Sequence, residues 1–593
     1  MVMRKVIKHL NFCFYLSLWG LATSSANAGN PLQDFALASE YEVPIELYVA
    51  KEIVTLDPKN PKVTAVAVQG KRIIATGSRN EVETLIGSTK YKLNETFKDK
   101  VLVPGFIAQH DHPLLAGITM TSEVIAIEDW VLPNKTFKAA KNHSEYINLL
   151  SEAESRIEDP EQILLTWGYH HYIHGALKQS ELDKISSTRP IIVWHRSAHE
   201  MYINTAAEKK YGIDKTWYQT LSKSVQEQSD FDNGHYWEQG WFALGPKVIK
   251  DIASPDRLKK ALEFVEQYFH ANGVTLGAEP GGLLSRQLQN AQNAVLSDLD
   301  TPFRFYFIAD GKSLVEAYKD DEVIQETEKL LTWGEGMTAF LPKQVKLFAD
   351  GAIYSQAMQL REPYTDGHKG EWMMDLSFFE RAFKIYWDAG YQIHIHVNGD
   401  AGLDMVLNTL DDNLKRSPRT DHRTVIVHFA VSQQDQVKRI KELGAIVSAN
   451  PYYPVALSDN YRVNGLGPDR ADNMVRIADI EKAGIPFSYH SDMPMAPGQP
   501  LFLMWSGVNR ITNDGNVRSP EQRVSRLGAL QAVTLGAAYS LQLENEVGSI
   551  VPGKLANFTV LSDNPVTCDP IDIKDIDVWG TVLEGRIQKV LTD

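Results

Sequence analysis

Cysteine is scarce in this chain: Cys13 and Cys568 are the two among 593 residues. Cys13 falls in an N-terminal segment that we expect to be removed, so the mature chain would carry one thiol, Cys568, and no intrachain disulfide. A small fold held together by disulfides is therefore excluded. The stability of the protein must come from the core itself.

Positively charged residues are also fewer than negatively charged ones. The 60 Lys and Arg residues face 75 Asp and Glu residues, which gives a formal net charge of −15 at pH 7. Nucleic-acid binding relies on clustered Lys and Arg, so we expect no nucleic-acid partner. With 43% hydrophobic and 23% charged residues, the composition is globular, and the length allows one large domain plus an accessory one.

The apolar run near the N-terminus, LNFCFYLSLWGLA, is shorter than the roughly 20 residues that a membrane-spanning helix needs. It follows Arg4, Lys5 and Lys8 and leads into SSANAGN, with small residues up to Ala28. This pattern is typical of a signal peptide, the alternative being a single membrane anchor. We predict that residues 1–28 are a signal peptide, that the protein is exported to the periplasm or extracellular space, and that it has no stable membrane insertion after cleavage.

Both ends of the mature chain have sequence patterns typical of β-strands. Short apolar runs such as VTAVAVQGKRIIATG near the start, and VGSIVPGKLANFTVLSDNP near the end, are separated by turn residues. The two ends flank a long middle of different character. We therefore predict one small β-sandwich domain assembled from residues 29–103 and 546–593.

The middle of the chain alternates strand-like and helix-like segments, which predicts βα units and a parallel sheet. Eight segments end like buried strands: VLVPGFIAQHDH, GVTLGAEPGG, FRFYFIADG, VKLFADGAI, YQIHIHVNGD, VIVHFAV, GAIVSANPYYP and IPFSYHSDMP. The fold class is thus predicted to be α/β, with a (β/α)8 TIM-type barrel over residues 104–545. The spacing between the first two strands is too long for one helix, so we place a large insertion at about 114–272, where it could cover the barrel mouth.

The stretch VLVPGFIAQHDHP places His110 and His112 two residues apart at a strand end. Because side chains alternate along a strand, both imidazoles face the same side and can reach one metal ion. A His-x-His pair alone is weak evidence, since buried histidines often have purely structural roles. The case rests on polar residues at the other strand ends, where active sites of such barrels lie: Lys346, His394, His396, His428 and Asp492.

This residue set fits metal-dependent hydrolysis, in which a divalent ion lowers the pKa of a bound water. Of His394 and His396, which share a strand face, we choose His396 because it lies nearer the strand end. Lys346 has two interpretations: an ion pair with Asp350 or another carboxylate, or a carbamate formed with carbon dioxide that bridges two metal ions. Asp492 is suited to bind metal weakly and to act as general base and proton shuttle.

Several motifs together resemble the amidohydrolase superfamily, specifically amidohydrolase family 3, which includes N-substituted formamide deformylases. They are VPGFIAQHDHP, VKLFADGAI, IHIHVNGDAG, VIVHFAV, SDMPMAPGQPL and the tail from ALQAVTLGAAYS to FTVLSDNP, in the family's order and over most of the mature chain. The resemblance implies one or two divalent metal ions, zinc by default for these ligands. It implies metal ligation by His110, His112, Lys346 as a carbamate, His396, His428 and Asp492, with Asp492 catalytic.

The same resemblance extends into the insertion. The motif SAHEMYIN is similar to a family motif with a histidine near the substrate, which makes His199 a catalytic and substrate-binding candidate, and HYWEQ places Glu238 at the pocket. Trp167 is a further pocket candidate, although an aromatic residue there is more often packing. Where family members commonly carry Asp after PGFI this chain has Ala108, so a carboxylate that would orient a metal-binding histidine is expected to be missing.

The predicted function is a metal-dependent hydrolase that attacks an amide-type, non-peptide C–N bond of a small molecule through metal-activated hydroxide. One alternative is an ester or lactone hydrolase with the same site. Another is a non-catalytic exported binding protein that keeps the fold. The substrate itself and the oligomeric state, including a homo-oligomer, are left open by the sequence.

Overall fold

Residues from the two ends of the described part of the chain meet in one seven-stranded sheet. The computed structural model describes residues 44–133, 135–282 and 284–590, so the predicted signal peptide and Cys13 lie outside the described residues. The strands of this sheet are β1 (Ile45–Val54), β2 (Lys62–Gln69), β3 (Arg72–Gly77), β4 (Tyr91–Pro104), β21 (Phe558–Leu561), β22 (Val578–Leu583) and β23 (Arg586–Lys589). The sheet order is β23-β22-β21-β4-β1-β2-β3, in which β21 pairs antiparallel with β4 and β1 pairs parallel with it. The sandwich arrangement and the domain boundaries stay predictions.

A second sheet contains eight parallel strands, and each of the eight predicted segments supplies one of them. They are β5 (Phe106–Ala108), β14 (Val274–Pro280), β15 (Arg304–Asp310), β16 (Thr338–Phe348), β17 (Gln392–Val397), β18 (Val425–His428), β19 (Ile446–Ala449) and β20 (Phe487–Tyr489). Within this sheet, strands that are adjacent in space follow one another in sequence order, and every adjacent pair is parallel. This confirms an α/β fold with a curled parallel sheet; complete closure into a barrel stays a prediction.

The two edge strands of the parallel sheet approach each other at their carboxyl ends. The backbone N–H of Asp492, just after β20, donates to the His110 carbonyl over 3.1 Å, and the His112 N–H donates to the Met493 carbonyl over 3.1 Å. These two hydrogen bonds join the segment after β5 to the segment after β20. They place His110, His112 and Asp492 next to one another although nearly 400 residues separate them in sequence.

Helices cover the parallel sheet. They are Pro255–Ala271, Arg286–Leu296, Gly311–Ala317, Val323–Lys329, Leu376–Asp388, Asp400–Arg416, Gln434–Leu443, Tyr452–Tyr461, Pro468–Asp472, Ile477–Ala483, Pro500–Asn509, Arg526–Ala532 and Leu535–Ser540; Arg79–Ile86 belongs to the terminal sheet. Short 3₁₀ turns span Phe231–Asn233, Leu330–Thr332, Pro520–Gln522 and Pro570–Asp575. Leu376–Asp388 shows why such segments are helical: Asp375 caps its first turn, and Phe379, Phe383 and Tyr386 recur at the spacing of one buried face.

An accessory sheet occupies the chain between β5 and β14. Its six strands are β6 (Glu123–Val124), β9 (Leu164–Tyr169), β10 (Ile191–His195), β11 (Glu200–Ile203), β12 (Ser229–Asp230) and β13 (His235–Trp237), in the order β12-β13-β11-β10-β9-β6. A hairpin of β7 (Trp130–Leu132) and β8 (Lys135–Phe137) and eight helices accompany it: Pro113–Met120, His143–Ser155, His171–His174, Gln179–Ile185, Thr205–Tyr211, Lys215–Thr220, Lys223–Glu227 and Gln239–Ile252. That this region is an insertion acting as a lid stays a prediction.

Within the described residues, every helix is too short or too polar to cross a membrane. Cys568, the thiol expected in the mature chain, is free and half-buried.

One buried ion pair fastens the accessory sheet to the loop after β20. Arg196 is 0% exposed, and its guanidinium donates to the Glu128 carboxylate over 2.7 Å and to the Met495 carbonyl over 2.9 Å. Met495 in turn donates its N–H to the Asp492 carbonyl. The position of the Asp492 loop is therefore tied to a side chain from another sheet.

Replacement of Arg196 should destabilise the protein strongly. Arg196→Met leaves Glu128 as a buried charge without its partner, which we expect to cost about 3–5 kcal/mol of unfolding free energy. The double variant Arg196→Met/Glu128→Leu should recover part of that loss. Urea unfolding followed by tryptophan fluorescence measures both, with Arg79→Met as control because the Arg79–Glu83 pair is exposed. An Arg196→Met midpoint equal to that of Arg79→Met would contradict this interpretation.

Candidate metal centre

A cavity of about 350 Å³ opens at the carboxyl ends of the parallel strands. All six predicted metal ligands line it: His110, His112, Lys346, His396, His428 and Asp492. They come from the ends of β5, β16, β17 and β18 and from the loop after β20. Parallel strands end on the same side of a sheet, and this explains why residues so far apart in sequence share one cavity.

His110, His112 and Asp492 form the tightest part of the centre. One ligand atom from each lies within 4.8 Å of the others, a spacing that could hold a metal ion. Asp492 Oδ1 is 3.4 Å from His110 Nε2 and 3.2 Å from His112 Nε2. Two imidazole nitrogens and one carboxylate oxygen are ligands that zinc prefers.

His428 and His396 lie next to each other in the same centre. Their ring centroids are 4.4 Å apart, and His428 Nδ1 lies 3.9 Å from Asp492 Oδ2. The Nε2 atom of His428 is buried without a hydrogen-bond partner in the described residues. A buried nitrogen with a free lone pair costs free energy unless something binds it, so this atom fits a metal ligand.

Lys346 is the most informative buried group of the site. It is 1% exposed and its Nζ has no hydrogen-bond partner in the described residues. Asp350 is not its counter-ion, because that carboxylate accepts the backbone N–H groups of Gln359, Asn398 and Gly399 over 2.8 to 2.9 Å. Burial lowers the pKa of the Lys346 ammonium to about 7, against the attraction of Asp492 and Asp310. A substantial fraction is thus a neutral amine near pH 7, which is the form that reacts with carbon dioxide.

The glycines in the sequence GAEPGG make room for this lysine and its neighbour. A Cβ on Gly281 would lie 2.7 Å from Lys346 Cγ, and a Cβ on Gly282 would lie 2.5 Å from Glu279 Cδ. Gly281 also has φ of +80°, which side chains rarely adopt. Gly281 is therefore required to be glycine, whereas a side chain at Gly282 would displace the end of the Glu279 side chain.

Glu279 contacts one of the histidines that are predicted to bind metal. Its Oε1 lies 3.0 Å from His112 Nδ1, which leaves Nε2 of His112 facing the cavity. The sequence predicted that such a carboxylate is missing because of Ala108; Glu279 at the end of β14 is a carboxylate that can orient His112. Asp111, between the two histidines, accepts the Ser491 hydroxyl and the Met493 N–H and so holds the Asp492 loop.

The pKa values of the histidines follow from burial and charge. Burial lowers the pKa of His396 to about 3, with Lys346 adding to the effect, and holds the pKa of His110 and His428 well below the usual range. Burial also opposes protonation of His112, but hydrogen bonds to Asp492 and Glu279 raise its pKa to about 10. Three of the four histidines are therefore neutral, as metal ligands must be.

The backbone at the site is unusual for the residues that it carries. His428 has φ of 77° and Asp492 has φ of 56°, both in the left-handed region that non-glycine residues rarely adopt. Such conformations cost about 1–3 kcal/mol each and cluster at functional sites. They turn the two side chains toward the cavity at the points where strand geometry ends.

The accessory region contains the other three predicted residues, of which two line the cavity and one does not. His199 and Glu238 line the cavity and contact each other, with His199 Nδ1 3.1 Å from both Glu238 oxygens. The Glu238 carboxylate raises the pKa of His199 although burial opposes it. Trp167 is instead fully buried, packed edge-on against Trp130, and outside the cavity lining, so its substrate-binding role stays a prediction.

Two further residues of the centre escaped the sequence reasoning. His490 stacks on His110 with ring centroids 4.7 Å apart, and it links His428 to Ser448 through contacts of 3.1 and 2.8 Å. Glu279 was missed because an acidic residue before Pro-Gly-Gly has no distinctive spacing from His112. His394, the histidine not chosen, contacts the Gln344 side chain and lies outside the cavity lining.

Comparisons with known proteins agree with the fold described above. A model of the amidohydrolase family matches residues 97–588. The N-substituted formamide deformylase of Arthrobacter pascens is 24% identical over 90% of this chain and 96% of its own length, and Protein LONG AFTER FAR-RED 3 of Arabidopsis thaliana is 24% identical over 86% of each. The solved structure of an uncharacterized metal-dependent hydrolase from Pyrococcus horikoshii aligns with TM-score 0.67 at 19% identity, covering 89% of this chain and 99% of that chain.

Together the family match over most of the chain and the shared fold define the chain as a hydrolase. It belongs to the amidohydrolase family, which confirms the resemblance seen in its motifs.

Loss of the Glu279 carboxylate should weaken metal binding while the fold persists. In Glu279→Gln the charge that orients His112 disappears, and partners of this kind typically contribute 10- to 100-fold to metal affinity. Competition with a chromophoric chelator gives the zinc affinity, and Glu263→Gln on an exposed helix position serves as control. An unchanged zinc affinity in Glu279→Gln would show that the contact does not support ligation.

Proposed function

We propose that this protein cleaves an amide-type, non-peptide C–N bond of a small molecule by metal-assisted hydrolysis. The observation that carries the proposal is the convergence of six ligand-type side chains on one cavity, with two buried nitrogens, Lys346 Nζ and His428 Nε2, left without partners in the described residues. One or two divalent ions, zinc by preference, would be held by His110, His112, His396, His428, Asp492 and a carbamate on Lys346. Such ions supply an activated water and polarise the carbonyl oxygen of the substrate.

Asp492 is the group that moves protons in this proposal. Its carboxylate lies between His110 and His112 and is 14% exposed, so it faces both the ligand cluster and the space for substrate. It takes a proton from the attacking water and delivers it to the leaving nitrogen, which would otherwise depart as an unstable amide anion. Its charge is held by its hydrogen bond to His112, which lowers the pKa of Asp492 although burial would raise it.

His199 and Glu238 act on the substrate rather than on the metal. The contact with Glu238 favours the protonated form of His199, so this histidine can donate a hydrogen bond to the carbonyl oxygen as charge develops there. Apolar side chains such as Leu115, Trp241 and Phe348 line the remainder of the cavity. These surroundings favour a substrate with an uncharged, apolar substituent.

We further propose that the curled parallel sheet closes into a (β/α)8 barrel, with the accessory region as an insertion in it. The terminal sheet would form a β-sandwich. Export through cleavage of residues 1–28 would place the enzyme in the periplasm or extracellular space. N-terminal sequencing of the secreted protein tests this: the mature chain should begin at Gly29.

Replacing the proton shuttle should stop the reaction without emptying the site. In Asp492→Asn we expect the turnover of N-substituted amides to fall by at least about 100-fold, because general acid–base catalysis contributes 10²–10⁴. Metal content should be retained, because the histidine ligands stay in place. A panel of matched amide and ester substrates gives the rates, and Asp514→Asn at an exposed position is the control. Normal turnover by Asp492→Asn, free of wild-type contamination, would defeat the assignment.

The carbamate on Lys346 predicts a specific loss of metal. Lys346→Ala removes the group that the proposal places between two ions, so zinc per chain should fall from two to one or fewer. Elemental mass spectrometry on the purified mature protein measures this, and Lys343→Ala, exposed on the same strand, is the matched control. If the wild-type protein and Lys346→Ala each bound a single metal ion, Lys346 would be structural and the mechanism mononuclear.

A further inference from the structure

A second group of ligand-type side chains lies in the accessory sheet. One atom from each of His171, His195 and Glu200 lies within 4.8 Å of the others. His171 begins the short helix after β9, His195 ends β10 and Glu200 begins β11, so the group lies at the ends of three adjacent strands. None of the three is among the residues that line the catalytic cavity.

The spacing within this group suits a metal ion. His171 Nδ1 and His195 Nε2 are 3.2 Å apart, and one oxygen of Glu200 lies within 4.8 Å of a ring nitrogen of each histidine. Two ligands at about 2.0 Å from a tetrahedral zinc ion are about 3.3 Å from each other. The two imidazole nitrogens therefore already have the separation that a shared zinc ion would impose.

These side chains are buried, and burying ionisable groups only to fill space costs free energy. His195 is 0% exposed and Glu200 is 7% exposed. The second oxygen of Glu200 contacts His235 Nε2 at 3.1 Å, on the neighbouring strand β13. A buried carboxylate surrounded by three imidazoles is a residue combination that binds divalent transition ions, and the contact to His235 is the kind that orients a ligating carboxylate.

We propose that His171, His195 and Glu200 bind a zinc ion in the accessory sheet, with His235 orienting Glu200 and a water in the fourth position. Zinc is the ion that this mixture of imidazole and carboxylate favours. The site is separate from the catalytic centre and does not depend on the proposed reaction.

Binding requires a change of tautomer in His195. The ring must carry its proton on Nδ1, where the Ser197 hydroxyl, 2.9 Å away, can accept it, so that the lone pair of Nε2 faces the ion. In the ion-free protein the Ser197 N–H points at the same Nδ1 over 3.0 Å. Zinc binding therefore has to outweigh the loss of that one hydrogen bond.

The ion would sit behind the wall of the catalytic cavity. His199 and Glu200 are consecutive, so their side chains point to opposite sides of the strand: His199 into the cavity and Glu200 toward the second group. The His199 carbonyl accepts the Glu238 N–H over 3.0 Å, which joins the strands that carry the two cavity residues. A zinc ion on the far side would fix the strands from which His199 and Glu238 project.

The experiment starts from full-length protein whose catalytic centre is disabled by replacing every proposed nitrogen ligand, through His110→Ala, His112→Ala, Lys346→Ala, His396→Ala and His428→Ala. Zinc titration against a chromophoric chelator should show about one tightly bound ion per chain. Adding His171→Ala should reduce that ion to near zero, and so should the milder Glu200→Gln if His171→Ala folds poorly. The control is His143→Ala, because His143 also contacts a glutamate, Glu181 at 2.9 Å, but belongs to no such group of three among the described residues.

Each outcome decides the proposal. Zinc lost in His171→Ala or Glu200→Gln but kept in His143→Ala supports the site. No zinc in the protein with the disabled catalytic centre overturns it, since the second group is intact there. Zinc retained in both His171→Ala and Glu200→Gln also overturns it, and neither of these results bears on catalysis by the first centre.

Discussion

The meeting of parallel strand ends at one cavity is the constraint from which the rest of the structure follows. Each strand delivers its last side chains to the same rim, so basic groups from β5, β16, β17 and β18 are buried around the carboxylate of Asp492. Such a concentration of buried nitrogens is unfavourable unless they are neutral and bound to something. The lowered pKa values, the left-handed backbone at His428 and Asp492, and the unpartnered Lys346 amine within the described residues are consequences of the same arrangement.

The accessory sheet contributes to the wall of the same cavity. It contributes His199 and Glu238 from one face and anchors itself to the Asp492 loop through Arg196. In the proposed function, the parallel sheet would carry the metal ligands, and the accessory sheet would carry the groups that meet the substrate. Changes in substrate preference within such a molecule can therefore arise in the accessory region without disturbing the ligands.

Local patterns were enough to predict the strands and the candidate ligands but not their partners. The eight buried strands could be predicted because parallel strands are continuous apolar runs, and the six candidate ligands because each sits where such a run ends. The contact of Glu279 with His112 joins residues 167 positions apart, and the three backbone N–H groups that occupy Asp350 depend on how a loop folds back. Neither leaves a periodic trace in the sequence. The full burial of Trp167 likewise depends on Trp130 and Arg196, which tertiary packing brings to it.

We expect the convergent side chains at this cavity to hold divalent metal. The most direct measurement is X-ray diffraction from crystals of the mature protein at energies on either side of the zinc absorption edge. We predict an anomalous peak in the cavity at about 2.0–2.2 Å from nitrogens of His110 and His112. A cavity without such a peak in zinc-replete crystals, with the same side chains hydrogen-bonded to water or to one another, would contradict it.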